Sequence, residues 1–267
     1  MNMKHAFLAL GLAAGLLAHS AQAQPQILTA GLRTGWQMEN GNQMAAFQMT
    51  LQDGWKTYWR APGDAGIPPH FDWSGSQNVK SVRFHWPRPS VIAVGGMQTF
   101  GYSRELVLPV EVVPQDPNLP MALKASVDLG VCSDICVPAA FNVAAQLPRS
   151  AVRDEVITRA LRQRPSTAKE AGVRRTTCAI TPQKDGLRLA VNVVMPSLGG
   201  EEAVVVEPGQ AGVWVSPADV TRKGDDLHAE VDMVGPSGGV FSLQRDAIVL
   251  TVLGKHRAVE IHGCSAP

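Results

Sequence analysis

Proline and glycine break this chain so often that only short extended segments fit between the breaks. There are 25 glycines and 19 prolines in 267 residues. In the first half they fall at Pro62-Gly63, Gly66, Pro68-Pro69, Pro87, Pro89, Gly95-Gly96, Pro114, Pro117 and Pro120. Between these points lie strand-sized runs at 44–51, 79–86, 106–113, 123–131 and 141–147. The run 123–131 alternates, with Leu123, Ala125, Val127 and Leu129 on one side. Further strands are expected at 175–180, 187–194, 203–206, 227–233, 247–253 and 258–262, with turns at Lys184-Asp185-Gly186, Gly199-Gly200 and Lys223-Gly224-Asp225. Many short strands with Gly- and Pro-rich turns point to a mainly β chain of β-sandwich type.

One segment departs from this style. Residues 151–162 predict a helix capped by Ser150, with Val152, Val156, Ile157, Ala160 and Leu161 on one face and Pro165 beyond its end. Residues 166–172 then read as a polar linker. Five of the six tryptophans precede residue 90, and the second block holds only Trp214. The expected organisation is therefore a signal segment at 1–23, a first β domain at 24–149, a helix and linker at 150–172, and a second β domain at 173–267.

The N-terminus carries Lys4 and His5, an apolar run over 6–18, and the small-x-small site Ala21-Gln22-Ala23. That is a secretory signal pattern, and the run is shorter than the ~18–20 residues a membrane span needs. Cleavage removes one of the 24 basic residues, leaving 23 basic against 23 acidic. A chain of zero net charge has no global field to attract nucleic acid. The basic excess is confined to 150–175, where seven basic residues face three acidic ones, a pattern expected of a solvated connector. No later stretch is long and apolar enough to predict a membrane-spanning helix.

Four cysteines in an exported chain predict disulfides, with three possible connectivities. Cys132 and Cys136 are four apart, beyond disulfide reach on a straight strand, so a bond there requires a turn over 133–135. A loop that small gains little from chain entropy, and labile, exposed bonds of this kind suit exchange. Cys178 and Cys264 lie at the two ends of the second block and suit a structural bond. Asp134 between the close pair would raise a neighbouring thiol's pKa, and no Lys, Arg or His lies within the motif, so the pair suits attack by a partner's thiolate. Copper is the rival: Cys132 and Cys136 with Met97, Met44, Met49, His70 or His85 could form a Cu(I) site, although no tight Met/His cluster occurs. Trp55, Tyr58, Trp59 and Trp73 are expected in core or turn packing. Hydrolase chemistry has little support, and the His-Glu-x-x-His motif and a Walker loop are absent from the sequence.

A set of ordered motifs carries a family resemblance. They are Gly54-Trp55-Lys56-Thr57-Tyr58-Trp59-Arg60-Ala61-Pro62-Gly63-Asp64-Ala65-Gly66-Ile67-Pro68-Pro69, Phe71-Asp72-Trp73, Trp86-Pro87-Arg88-Pro89, Phe100-Gly101-Tyr102 running into Leu106-Val107-Leu108-Pro109-Val110, and Cys132-Ser133-Asp134-Ile135-Cys136-Val137-Pro138. In order and spacing over residues 27–148 they resemble the N-terminal periplasmic domain of the DsbD thiol:disulfide interchange family, in its ScsB-like variant. The resemblance implies an immunoglobulin-like fold and a periplasmic electron relay that needs no organic cofactor or metal. It makes Cys132 and Cys136 the redox pair and assigns an aromatic cap over them to Met97, Phe100 and Tyr102. It also implies partners: a membrane-embedded electron donor and periplasmic thioredoxin-like proteins, both supplied as separate chains. Three residues between the cysteines is a narrower spacing than in the best-known members. A non-catalytic binding module, such as a copper or assembly chaperone, is the alternative.

Overall fold

The structure is a computed structural model and describes residues 27–267; the expected signal segment lies outside the described residues. Ten strands build the first half: β1 (Leu28–Gln37), β2 (Gln43–Leu51), β3 (Lys56–Gly63), β4 (His70–Asp72), β5 (Val79–Phe84), β6 (Ser90–Val94), β7 (Met97–Ser103), β8 (Glu105–Pro114), β9 (Met121–Cys132) and β10 (Cys136–Leu147). They form one sheet in the order β1-β2-β8-β5 and another in the order β10-β9-β3-β7-β6, with β4 beside β9. Alternation dictates which residues meet between the sheets. Phe47, Met49, Leu106 and Leu108 from one face Trp59, Ala125, Val127, Leu129 and Val131 from the other, all in one buried cluster. Each large side chain buried this way contributes about 1.5–3 kcal/mol.

The helix α1 (Glu155–Arg162) is shorter than the sequence predicts and starts four residues later. Its cap is Asp154, whose Oδ1 accepts from the Val156 and Ile157 amides at 2.8 and 3.1 Å. Ser150 instead accepts from the Val152 amide, and Val152 is exposed outside the helix. A carboxylate accepts two orphan N–H groups and answers the helix dipole, so the later cap wins. Ile157 is the helix's anchor, packed with Trp36, Met44 and Ala46. It sits over Gly35, where φ is +59° and a Cβ would lie 1.9 Å from the Met44 carbonyl oxygen. Only glycine fits that bulge.

Nine strands make the second half: β11 (Ser166–Thr167), β12 (Arg175–Gln183), β13 (Gly186–Val194), β14 (Ala203–Glu207), β15 (Trp214–Val215), β16 (Asp219–Lys223), β17 (Asp226–Val234), β18 (Val249–Leu253) and β19 (Ala258–His262). Their sheets run β11-β19-β18-β14 and β12-β13-β17-β15, with β16 beside β17. The polar segment after α1 is thus drawn into a sheet, β11 lying parallel to β19. Val204, Val206, Leu250, Val252, Val259 and Ile261 close on Leu189, Val191, Leu227 and Val231.

The strand β14 explains its own unbroken apolar run. Val204 and Val206 point into the second sandwich, while Ala203 and Val205 join the core cluster of the first. A strand buried on both faces has no polar side to show. Leu253 and Ala258 cross over in the same way. Around them Arg60 of β3 reaches Glu207 at 2.8 Å and Glu260 at 2.6 Å. Burial alone would lower the Arg60 pKa, but the two carboxylates hold it above the ordinary value.

A candidate thiol–disulfide site at a hairpin tip

The long hairpin β9–β10 pairs twelve residues with twelve, and its last pair is Cys132 opposite Cys136. The two are disulfide-bonded, with Cα atoms 4.1 Å apart. Three residues, Ser133, Asp134 and Ile135, make the turn, closed by the Ser133 amide donating to the Ile135 carbonyl at 3.0 Å. Cross-strand pairing therefore brings the cysteines together. The strand β10 starts at Cys136, five residues earlier than the sequence predicts, because β9 supplies a partner for each of them.

The two sulfurs differ in access. Cys132 is 1% exposed, whereas Cys136 is exposed to solvent. Tyr58 lies over both. Its hydroxyl donates to Cys132 Sγ at 2.9 Å and sits 3.5 Å from Cys136 Sγ. Burial raises the Tyr58 pKa, which keeps the phenol protonated and able to donate. The ladder fixes this geometry. Lys56 is directly opposite Cys132 and Thr57 opposite Val131, so Lys56, Tyr58 and the cysteines share one sheet face. Thr57 points the other way, and its hydroxyl donates to the Gly130 carbonyl at 2.9 Å, locking β3 to β9.

The segment after β3 folds over this face. Gly66 packs so closely that a Cβ would lie 2.3 Å from Pro62 Cβ and 2.6 Å from Tyr58 Cδ1. Ile67 lies against Gly130, where a Cβ would approach its own to 2.8 Å. Ile67 and Ile135 remain 43% and 68% exposed, an apolar rim beside the accessible sulfur.

The expected aromatic cap is elsewhere. Gly95 and Gly96 form a tight turn between β6 and β7, with φ of +60° and +82°. Phe100 is 5% exposed and faces the second sandwich, lining a cleft with Arg60 and Val205. Tyr102 stacks on Trp86, and its hydroxyl donates to the Pro87 carbonyl at 2.7 Å. Met97 is exposed at the start of β7. Strand pairing on both sides buries the two rings in the fold and leaves the 62–67 segment to cover Tyr58. Tyr58 was legible only as a packing residue; its alternation with Lys56 and Arg60 is the one sequence signal of a shared face.

The residues of a copper site do not converge. Met44 packs with Trp36 and Ile157, Met49 lies in the main core, and Met97 is exposed. His85 is beside Glu111, and His70 is paired across from Asp128. The second disulfide joins Cys178 and Cys264, with Cα atoms 5.7 Å apart. It ties β12 to the C-terminal segment, where the Cys178 amide also donates to the Ser265 carbonyl at 2.8 Å.

Residues 24–148 match the family described as thiol:disulfide interchange protein DsbD, N-terminal. That stretch holds both sheets of the first sandwich and the hairpin with its cysteine pair. Residues 24–148 form a domain of the DsbD N-terminal family. This domain is a thiol–disulfide interchange module, built as an immunoglobulin-like sandwich. The N-terminal periplasmic domain of ScsB from Proteus mirabilis is similar in structure, with a TM-score of 0.67 at 22% identity. The likeness covers 90% of this chain and 92% of that one, so the fold is shared across both sandwiches. A protein of unknown function from Porphyromonas gingivalis W83 aligns over 88% of this chain and 99% of its own at 10% identity. Its TM-score of 0.19 carries no structural conclusion. No curated protein sequence matches this chain. Among the described residues, no helix is long and apolar enough to cross a membrane.

Proposed function

We propose that this DsbD-family module relays electron pairs in the periplasm through Cys132 and Cys136, exchanging with a partner dithiol. The observation that carries the reading is the asymmetry of the pair: one sulfur open to solvent, the other buried under a hydroxyl donor. A partner thiolate attacks Cys136 Sγ. A bond forms between the partner's sulfur and Cys136 as the Cys132–Cys136 bond breaks, and its electron pair leaves on Cys132 as a thiolate. The Tyr58 hydroxyl donates to that thiolate, and Lys56 across the ladder adds positive charge to the same face. The partner's second thiolate then attacks its own sulfur in the mixed disulfide and releases Cys136. Two electrons have moved: the partner dithiol is now a disulfide and this chain holds a dithiol. Run backwards, the same steps reduce a downstream disulfide.

The partners this reading requires are a membrane-embedded electron donor and thioredoxin-like proteins. Ile67 and Ile135 would seat the apolar surface that such a partner presents beside its own cysteines. Cys178 and Cys264 hold the second sandwich together and take no part in exchange.

Graded thiol redox buffers, followed by rapid alkylation and peptide mass spectrometry, test this directly. Cys132–Cys136 should titrate reversibly while Cys178–Cys264 stays oxidised, and in the reduced protein Cys136 should be alkylated at least about tenfold faster than the buried Cys132. If the close pair resists reduction as firmly as the distant one, the relay reading fails.

A further inference from the structure

Among the described residues seven of the sixteen arginines have a carboxylate partner, and four of the nine that do not are gathered in one cleft. Arg33, Arg60, Arg83, Arg104, Arg174, Arg188 and Arg222 each have an acidic partner. Among the described residues Arg88, Arg162, Arg164 and Arg257 have none within 4.0 Å. All four line one cleft of about 490 Å³ where the two sandwiches meet, together with His256. They arrive from three places: Arg88 from the β5–β6 connection, Arg162 and Arg164 from the end of α1, and Arg257 from the β18–β19 turn. The Arg88 amide donates to the Gln163 carbonyl at 2.8 Å and joins the first two segments. Arg164 is held by its Nε donating to the Leu161 carbonyl at 3.0 Å, with Nη1 3.4 Å from His85 Nδ1. No carboxylate lines the cleft.

Four like charges in one concavity repel each other, and the fold supplies nothing in the cleft to offset them. The guanidinium fork matches phosphate oxygens in pairs, and a phosphate group brings up to two negative charges and several acceptors at once. The volume is that of a small-molecule site. We infer that this cleft binds a phosphate-bearing ligand that bridges the two sandwiches. The site lies apart from the cysteine hairpin and does not depend on the redox reading. Two of the connector's seven basic residues, Arg162 and Arg164, are then binding residues, joined by Arg88 and Arg257 from distant parts of the chain.

Titration calorimetry with pyrophosphate on the full chain is the test, beside sedimentation with phosphatidylglycerol vesicles and phosphatidylcholine controls. The pair R162A/R257A removes two cleft charges. The pair R153A/R175A removes two exposed charges elsewhere and controls for net charge. Saturable one-to-one pyrophosphate binding, weakened at least tenfold in R162A/R257A and unchanged in R153A/R175A, supports a site for a soluble phosphate ligand. Vesicle binding with the same dependence, in the absence of pyrophosphate binding, supports a lipid headgroup as the source. Thermal unfolding of each variant without ligand shows that the fold is retained. No binding to either probe, or equal losses in the two double variants, overturns the inference.

Discussion

At the scale of single residues, the proposed chemistry rests on where two sulfurs sit relative to one hydroxyl. Cys132 has almost no exposure and a donor at 2.9 Å, while Cys136 faces solvent. A donor to a thiolate stabilises the charged form, so Tyr58→Phe should raise the Cys132 thiol pKa. A hydrogen bond to a charged group is worth about 1.5–3 kcal/mol, so the variant should exchange with a small dithiol at least about tenfold more slowly. Stopped-flow exchange across a pH series measures both effects, and an unchanged profile would remove Tyr58 from the mechanism. Gly66 provides a second test at the same place. The Cβ of Gly66→Ala would press on the Tyr58 ring and Pro62. Displacing the ring should slow exchange as Tyr58→Phe does, with a further stability loss of about 1–3 kcal/mol from overpacking, read by denaturant unfolding.

Among the elements, the hairpin and the helix show opposite dependences on context. The hairpin β9–β10 is set by pairing: each strand gives the other its register, and the register puts cysteine opposite cysteine. The helix has only eight residues, too few to be stable alone, so it relies on its cap and on Ile157. Burial would raise the Asp154 pKa, but Arg33 and the two helix amides hold it below the ordinary carboxylate range. A group depressed in the folded state contributes fully above its unfolded pKa, and that contribution is lost as pH falls through the folded value. Asp154→Ala should cost about 1–2 kcal/mol at neutral pH. Asp154→Asn keeps a capping oxygen but cannot titrate, so its stability should fall less steeply on acidification than the wild type's. Urea midpoints between neutral and acid pH would show it; parallel curves for the two proteins would contradict the assignment.

For the whole molecule, the question is what holds the sandwiches in one arrangement. The apolar part is the two-faced strand β14, with Leu253 and Ala258 alongside. The polar part is Arg60 between Glu207 and Glu260, with its guanidinium 4.5 Å from the Trp59 ring centre. All three side chains are a quarter exposed, so solvent screens the triad and it is weaker than a fully buried one. Removing the shared cation leaves two adjacent carboxylates facing each other. Arg60→Ala should therefore lower stability by about 1–3 kcal/mol and broaden the solution scattering envelope as the sandwiches part. Glu207→Gln with Glu260→Gln in the same background should recover part of the loss, since no charge is then stranded. A variant as stable as the parent, with an unchanged envelope, would assign the arrangement to the apolar contacts alone.

Much of this was readable along the chain, for a physical reason. Alternation, proline and glycine are local signals, so the core strands β2, β8, β9, β13 and β17 and the mainly β class follow from the sequence. The cysteines were also legible, because an even number of thiols with one close pair suggests disulfides. The short strands β4, β11, β15 and β16 were not legible, since two to five residues carry no period and owe their conformation to a neighbour. Tertiary structure alone decided that the Tyr58 hydroxyl lies against the sulfurs while Phe100 and Tyr102 pack into the core. Which side chain lies over a disulfide depends on strand order and register, and β3 is brought beside β9 across more than seventy residues. The gathering of Arg88, Arg162, Arg164 and Arg257 is of the same kind. Charge is legible residue by residue, but a charged site exists only where the fold brings distant residues together.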